Sequence, residues 1–209
     1  MNSPTGIKIF CIGPGKTGTT SLAAFFEGLG LAVGDQSTGE LLVHEWAKRN
    51  FAPIIAFAQT AQVFHDIPFS LPFTFQALDQ AFPGAKFILS VRHDAEEWYG
   101  SLTRFATKLV GKGRLPTGED LKAFSYHRAG WALEAAKLIY DVCERDPFKK
   151  APLIKAYERH IDMVTHYFRH RRESLLTINV AAADAAERIT AFLQRPYRGE
   201  IIPHLNRTR

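Results

Sequence analysis

Ile9-Phe10-Cys11-Ile12-Gly13-Pro14-Gly15-Lys16-Thr17-Gly18-Thr19-Thr20-Ser21-Leu22 is the stretch on which the fold turns. Ile7 to Ile12 is a short apolar run halted by a Gly-Pro-Gly turn, the pattern of a buried strand. Thr19 to Leu29 then sets Leu22, Phe25, Phe26 and Leu29 on one stripe at helical spacing, with Gly30 as the expected C-terminal cap. A strand that feeds a glycine-rich turn and then a helix is suited to hold an anion. Glycines let backbone N–H groups approach a ligand without a Cβ clash. The helix start adds donors and partial positive charge. Lys16 supplies a full charge, and Thr17, Thr19, Thr20 and Ser21 supply hydroxyls.

Three loop patterns compete for this segment. Gly13-x-Gly15-x-x-Gly18 satisfies the dinucleotide fingerprint, with Asp35 near the place of its ribose-binding acid. A lysine and hydroxylated residues around the third glycine do not suit that motif's close helix–strand packing. The nucleoside-triphosphatase loop fits as far as Gly18, but Thr19 stands where its lysine belongs. With the lysine inside the loop, Pro14-Gly15-Lys16-Thr17-Gly18-Thr19-Thr20-Ser21 resembles the 5′-phosphosulfate loop of sulfotransferases that use 3′-phosphoadenosine 5′-phosphosulfate (PAPS). The resemblance implies that Gly15, Lys16, Thr17, Gly18, Thr19 and Thr20 bind the cofactor's 5′ end.

A second segment agrees with it. Lys86 to Val91 reads as a buried strand, followed by Arg92 and by a helix carrying Ser101. In the family such an arginine and serine bind the cofactor's 3′-phosphate, the arginine through charge-assisted hydrogen bonds. Ser101 falls one position later than in many members. Asp66-Ile67-Pro68 matches an Asp-x-Pro found in part of the family after the third strand. The tyrosine and acidic residues that follow the last strand in cytosolic members are replaced here by Ala181-Ala182-Ala183, and the long basic-glycine phosphate loop is absent. Arg207 in the tail is weighed as a substitute phosphate contact against an unstructured terminus.

What the resemblance implies for chemistry is in-line transfer of a sulfuryl group from PAPS to a hydroxyl or amine of a small-molecule or glycan acceptor, leaving adenosine 3′,5′-bisphosphate (PAP). Lys16 would stabilise the departing oxygen, and no metal is required. Asp66 is the first choice for the base that takes the acceptor's proton, because it ends a strand at the sheet edge where ligands sit. His65 is the second, and neighbours on a strand point to opposite faces. Phe64, Phe69, Phe73 and Phe75 read as core rather than as an acceptor pocket. Competing functions are a nucleotide-dependent phosphotransferase on the same scaffold, a dinucleotide oxidoreductase that would need Asp35, and a non-catalytic nucleotide-binding module.

Outward from these motifs, short apolar runs at Leu31–Val33, Gln62–His65 and Leu175–Val180 alternate with helical stretches at Glu40–Arg49, Phe73–Phe82, Ala95–Val110 and Ala182–Leu193. Strands separated by helices predict parallel pairing, hence a three-layer α/β/α fold with a mainly parallel central sheet, P-loop and nucleotide-kinase-like. The whole chain, 1–209, is expected to be one domain, with a helical insertion over about 119–169. The composition, 46% apolar and 22% charged, excludes a disordered chain. Cys11 and Cys143 cannot make a disulfide framework and read as reduced thiols. No apolar run reaches the roughly 18 residues of a membrane span, and Met1–Thr5 shows no secretory signal. A cytoplasmic protein is therefore expected. The formal charge of +5 suits an anionic ligand, but no nucleic-acid motif accompanies it.

Overall fold

The computed structural model describes residues 6–205, so Arg207 lies outside the described residues. In chain order the elements are β1 (Ile9–Cys11), α1 (Thr19–Gly28), α2 (Gln36–Glu40), α3 (Val43–Ala47), α4 (Ala52–Phe57), β2 (Val63–His65), α5 (Thr74–Ala81), β3 (Lys86–Ser90), α6 (Ala95–Leu109), α7 (Gly118–Ala123), α8 (Trp131–Tyr140), α9 (Lys150–Tyr167), β4 (Leu175–Ile178) and α10 (Ala185–Phe192). They form two compact units, one of residues 6–92 and 160–205, the other of residues 93–159.

The first unit holds a four-stranded sheet of order β2-β1-β3-β4 in which every pairing is parallel. Central strands read as continuous apolar runs because helices cover both faces. Alternation along each strand sorts its side chains onto those faces. Ile9, Cys11, Val63, Ile88 and Ile178 pack with Leu22, Phe25 and Phe26 of α1 and with Ala185, Ala186 and Ile189 of α10. Phe10, Phe64 and Phe87 point the other way, into an aromatic layer with Phe57, Phe69, Phe82 and Phe168. The α/β class and the parallel sheet flanked by helices are as the sequence predicts.

One predicted strand is not formed. Leu31–Val33 makes only an isolated parallel bridge, Val33 to Val63, beside β2. Gly30 turns the chain in the left-handed region just before it. At Gly34 just after it, a Cβ would lie 2.3 Å from the Phe64 ring, so only glycine fits there, and its N–H donates to the Val63 carbonyl at 2.8 Å. The predicted helix Glu40–Arg49 is likewise divided between α2 and α3. Phe64, Phe69 and Phe75 are core residues as expected, but Phe73 is 40% exposed and lies beneath the Arg49 guanidinium.

The second unit is helical. Asp94 caps α6 by accepting from the Glu97 N–H at 2.7 Å, and Thr117 and Asp120 close a reciprocal capping box on α7. Trp98 is fully buried and stacks on Tyr157 with ring centroids 4.7 Å apart. The Tyr99 hydroxyl donates to the Phe148 carbonyl at 2.9 Å. These contacts make Trp98 and Tyr99 helix-packing aromatics. Cys143 is a free, exposed thiol between α8 and α9, whereas Cys11 is buried and its pKa is pushed up by that burial. Among the described residues no helix is long and apolar enough to cross a membrane.

Candidate active site

Parallel pairing places the C-terminal ends of β2, β1 and β3 side by side, in the register Cys11–His65 and Cys11–Ile88. The loop after β1 is therefore flanked by the chain leaving β2 on one side and by the chain leaving β3 on the other. Its backbone turns twice into the left-handed region, at Lys16 (φ 72°) and Gly18 (φ 100°). Such turns expose successive N–H groups on one side of the chain, a concavity suited to an anion. Gly18 is also the N-cap of α1, so no side chain caps that helix start.

The flanks hold the loop in different ways. On the β3 side, Thr17 is buried, and its hydroxyl lies 2.6 Å both from the Pro14 carbonyl, to which it donates, and from the Ser90 hydroxyl. A Cβ on Gly13 would sit 2.1 Å from that Ser90 oxygen, so only glycine lets the two chains approach this closely. Beyond β3, Arg92 Nε donates to the Lys16 carbonyl at 2.8 Å. On the β2 side, Asp66 takes a left-handed φ of 58°. Its carboxylate accepts from the Thr19 hydroxyl at 2.9 Å and from the Ile67 N–H at 3.0 Å. Below the loop, buried His160 donates from Nε2 to the Ile12 carbonyl at 2.8 Å.

Lys16 is the electrostatic centre. Burial lowers its pKa first; Asp66 opposes that, Arg92 adds to it, and Glu40 opposes it again. His65 lies on the α1 side of the sheet, with Val63 and opposite to Phe64 in the strand alternation. It is buried, its Nδ1 has no hydrogen-bond partner, and burial lowers its pKa against the nearby carboxylates of Asp66, Glu27 and Glu40. His160 is pushed down to about 4 by burial, so it is neutral near pH 7.

The structure thus brings Gly15, Lys16, Thr17, Gly18, Thr19, Asp66, His65 and Arg92 into one neighbourhood, with Thr20 exposed on the first turn of α1. Thr17 is tied inward and shapes the loop, and Asp66 is nearer to it than His65 in direct hydrogen bonding. Ser101 is buried on α6 of the second unit. Asp35, the acid that a dinucleotide site would need, is occupied as the N-cap of α2, accepting from the Thr38 N–H at 2.7 Å. Among the described residues no group of three or more His, Cys, Asp or Glu could hold a metal ion.

Ser90, Glu40 and His160 are neighbours that the sequence did not announce. A single hydroxyl at the end of the apolar run Lys86–Val91 was a legible sign of Ser90; the other two carry no local signal.

A parallel α/β sheet whose first strand runs through a lysine-bearing glycine loop into an uncapped helix is of the P-loop-like class. A model of the sulfotransferase domain family matches residues 8–209, nearly the whole chain, and the protein belongs to that family. A comparison with curated proteins finds no match.

Proposed function

We propose that the protein is a PAPS-dependent sulfotransferase, acting on a hydroxyl or amine of a small-molecule or glycan acceptor. The observation that carries this reading is Lys16, held partly buried in a left-handed loop at the uncapped start of α1, with Arg92 bonded to its carbonyl. The loop carries the Lys16 ammonium, backbone N–H groups and hydroxyls, a donor set that fits a phosphosulfate.

Gly15, Lys16, Gly18, Thr19 and Thr20 would hold the cofactor's 5′ end, with Thr17 fixing the loop's shape. Arg92 would serve the 3′-phosphate, and Ser101 is assigned to that phosphate by the sequence resemblance alone. When bound, PAPS supplies the electrophilic sulfur and the leaving phosphate. Lys16 places positive charge in the loop before any chemistry begins, and such preorganised charge is the main catalytic resource for a developing anion. Asp66, on the opposite flank, is the group to accept the acceptor's proton, with His65 behind it. Thr19 donates to Asp66 and so orients its carboxylate.

The test is calorimetric titration of the full chain with PAP, with ADP and NADP⁺ as competitors and without added Mg²⁺. Binding of PAP in preference to both, weakened about 10- to 100-fold by Arg92→Ala as expected for loss of a charge-assisted contact, supports the reading. Preference for ADP with Mg²⁺, or for NADP⁺, overturns it.

A further inference from the structure

One hydroxyl in this site has two claimants. Thr19 is buried at the first position of α1, and its hydroxyl donates to Asp66 Oδ2 at 2.9 Å. The cofactor's 5′ end is assigned to the same residue, yet a threonine hydroxyl has a single proton to donate. The Asp66 carboxylate also stands against the other end of the loop. A Cβ on Gly15 would lie 3.6 Å from Asp66 Oδ1 and 3.9 Å from Oδ2. Asp66 thus meets the loop at two of the residues assigned to the cofactor.

The turn after β2 holds that carboxylate in place. It starts at Asp66 in the left-handed region, with φ 58°, and the Ile67 N–H donates back to Oδ1 at 3.0 Å. In turn α2 is seated on it. The Gln36 side-chain nitrogen donates to the Ile67 carbonyl at 3.3 Å, and a Cβ on Gly39 would lie 3.3 Å from the same carbonyl. With Oδ1 fixed by the backbone, the partner of Oδ2 is the part of this arrangement that can change. Thr17, the other buried hydroxyl of the loop, has no such choice, being held between the Pro14 carbonyl and Ser90.

We propose that Thr19 couples cofactor binding to release of the Asp66 carboxylate. When the Thr19 hydroxyl turns to the 5′-phosphate, Oδ2 loses its donor while Oδ1 keeps the Ile67 N–H. Without cofactor Asp66 is engaged; with cofactor in place it has an open oxygen, Oδ2, at which to take a proton. The carboxylate is therefore a built-in competitor for the loop, and the base becomes available only after the cofactor has bound. One charge-assisted hydrogen bond is exchanged for another, so the bond that is broken lowers the cofactor's affinity. This rests on the reading of the loop as the seat of the cofactor's 5′ end.

The experiment is a double-mutant cycle on the full chain, read by calorimetric titration with PAP, which keeps the 5′-phosphate. Asp66→Gly removes the carboxylate and adopts the left-handed backbone without strain; Thr19→Val removes the donor. Asp66→Gly is expected to favour PAP binding about 3- to 10-fold more with Thr19 present than in the Thr19→Val background, the worth of one hydrogen bond. Thr19→Ser, which keeps the donor, should behave as Thr19 does. A change no more favourable with Thr19 than with valine overturns the proposal, because it assigns the effect to the Asp66 charge or to the turn. Should circular dichroism show that Asp66→Gly does not fold, Asp66→Asn replaces it; a smaller difference in the same direction supports the proposal and no difference overturns it. Wild-type protein that binds no PAP defeats the proposed function, whereas PAP binding without this coupling defeats this inference alone.

Discussion

The two flanks of the loop after β1 are held by similar means for different ends. Toward β3, Thr17 meets Ser90 through two buried hydroxyls, with no charge in the pair and no space between the chains. Toward β2, Thr19 meets the Asp66 carboxylate in a half-buried setting, with Lys16, His65 and Glu40 close by. The Thr17–Ser90 pair fixes where the loop is, while the charges that face Lys16 come from both flanks, Asp66 beyond β2 and Arg92 beyond β3. A buried neutral pair is costly to break because it leaves an unsatisfied group. A partly exposed pair to a carboxylate costs less to lose and can exchange partners during a reaction.

The comparison can be tested from its largest expected effect downward. Lys16→Ala is expected to slow sulfuryl transfer from radiolabelled PAPS by about 10²- to 10³-fold, the usual loss for one preorganised transition-state charge, with a smaller loss of PAP affinity. Wild-type transfer in this variant would place the leaving-group charge elsewhere.

Next in size is a pH effect beneath the loop. His160 is held neutral, with its pKa pushed down to about 4 by burial, while an unfolded histidine titrates near 6.5. The unfolded chain therefore binds the proton first as pH falls. Stability is complete above about pH 6.5 and is lost progressively down to about pH 4, by on the order of 3 kcal/mol from this group. Urea unfolding at pH 7.0 and 4.5 reads the difference, and His160→Gln should flatten it. An equally steep decline in that variant would assign the loss to other groups.

Gly13→Ala comes third. Its Cβ would collide with Ser90, where both the hydroxyl and the carbonyl stand within 2.3 Å. Thermal melting should show a loss of about 1–3 kcal/mol, as for an overpacked core. Smallest, and most direct, is the pair Thr17→Val and Thr19→Val. The first should cost about 1–3 kcal/mol of stability by stranding Ser90, and the second less than about 1 kcal/mol while still slowing transfer. Equal stability losses from both variants would erase the distinction between the flanks.

The strand, loop and helix from Ile9 to Gly28 were legible because their signals are local: an apolar run, the loop glycines Gly13, Gly15 and Gly18 and a helical stripe lie within one short stretch. Arg92 was legible for the same reason, as the residue at which an apolar strand ends. Its bond to the Lys16 carbonyl was not, because it exists only once β1 and β3 are paired. Glu40 looked like the first residue of a longer helix, and nothing near it in sequence shows that α2 docks on the turn after β2. His160 is one histidine among eight, and only burial distinguishes it. The extra strand predicted at Leu31–Val33 shows the converse limit. So short an apolar run suits a single bridge, here Val33 to Val63, as well as a strand.

The order of the chain carries one more consequence. Residues 93–159 form a compact unit interrupting another whose last strand, β4, is made only at Leu175–Ile178. During synthesis at about 5–20 residues per second, residues 93–159 are all made before β3 has its second neighbour, β4. The edge of β3 from Phe87 to Ser90 must wait uncovered, and the ribosome's pace over the next stretch sets how long that apolar edge is open to wrong pairings and to chaperones.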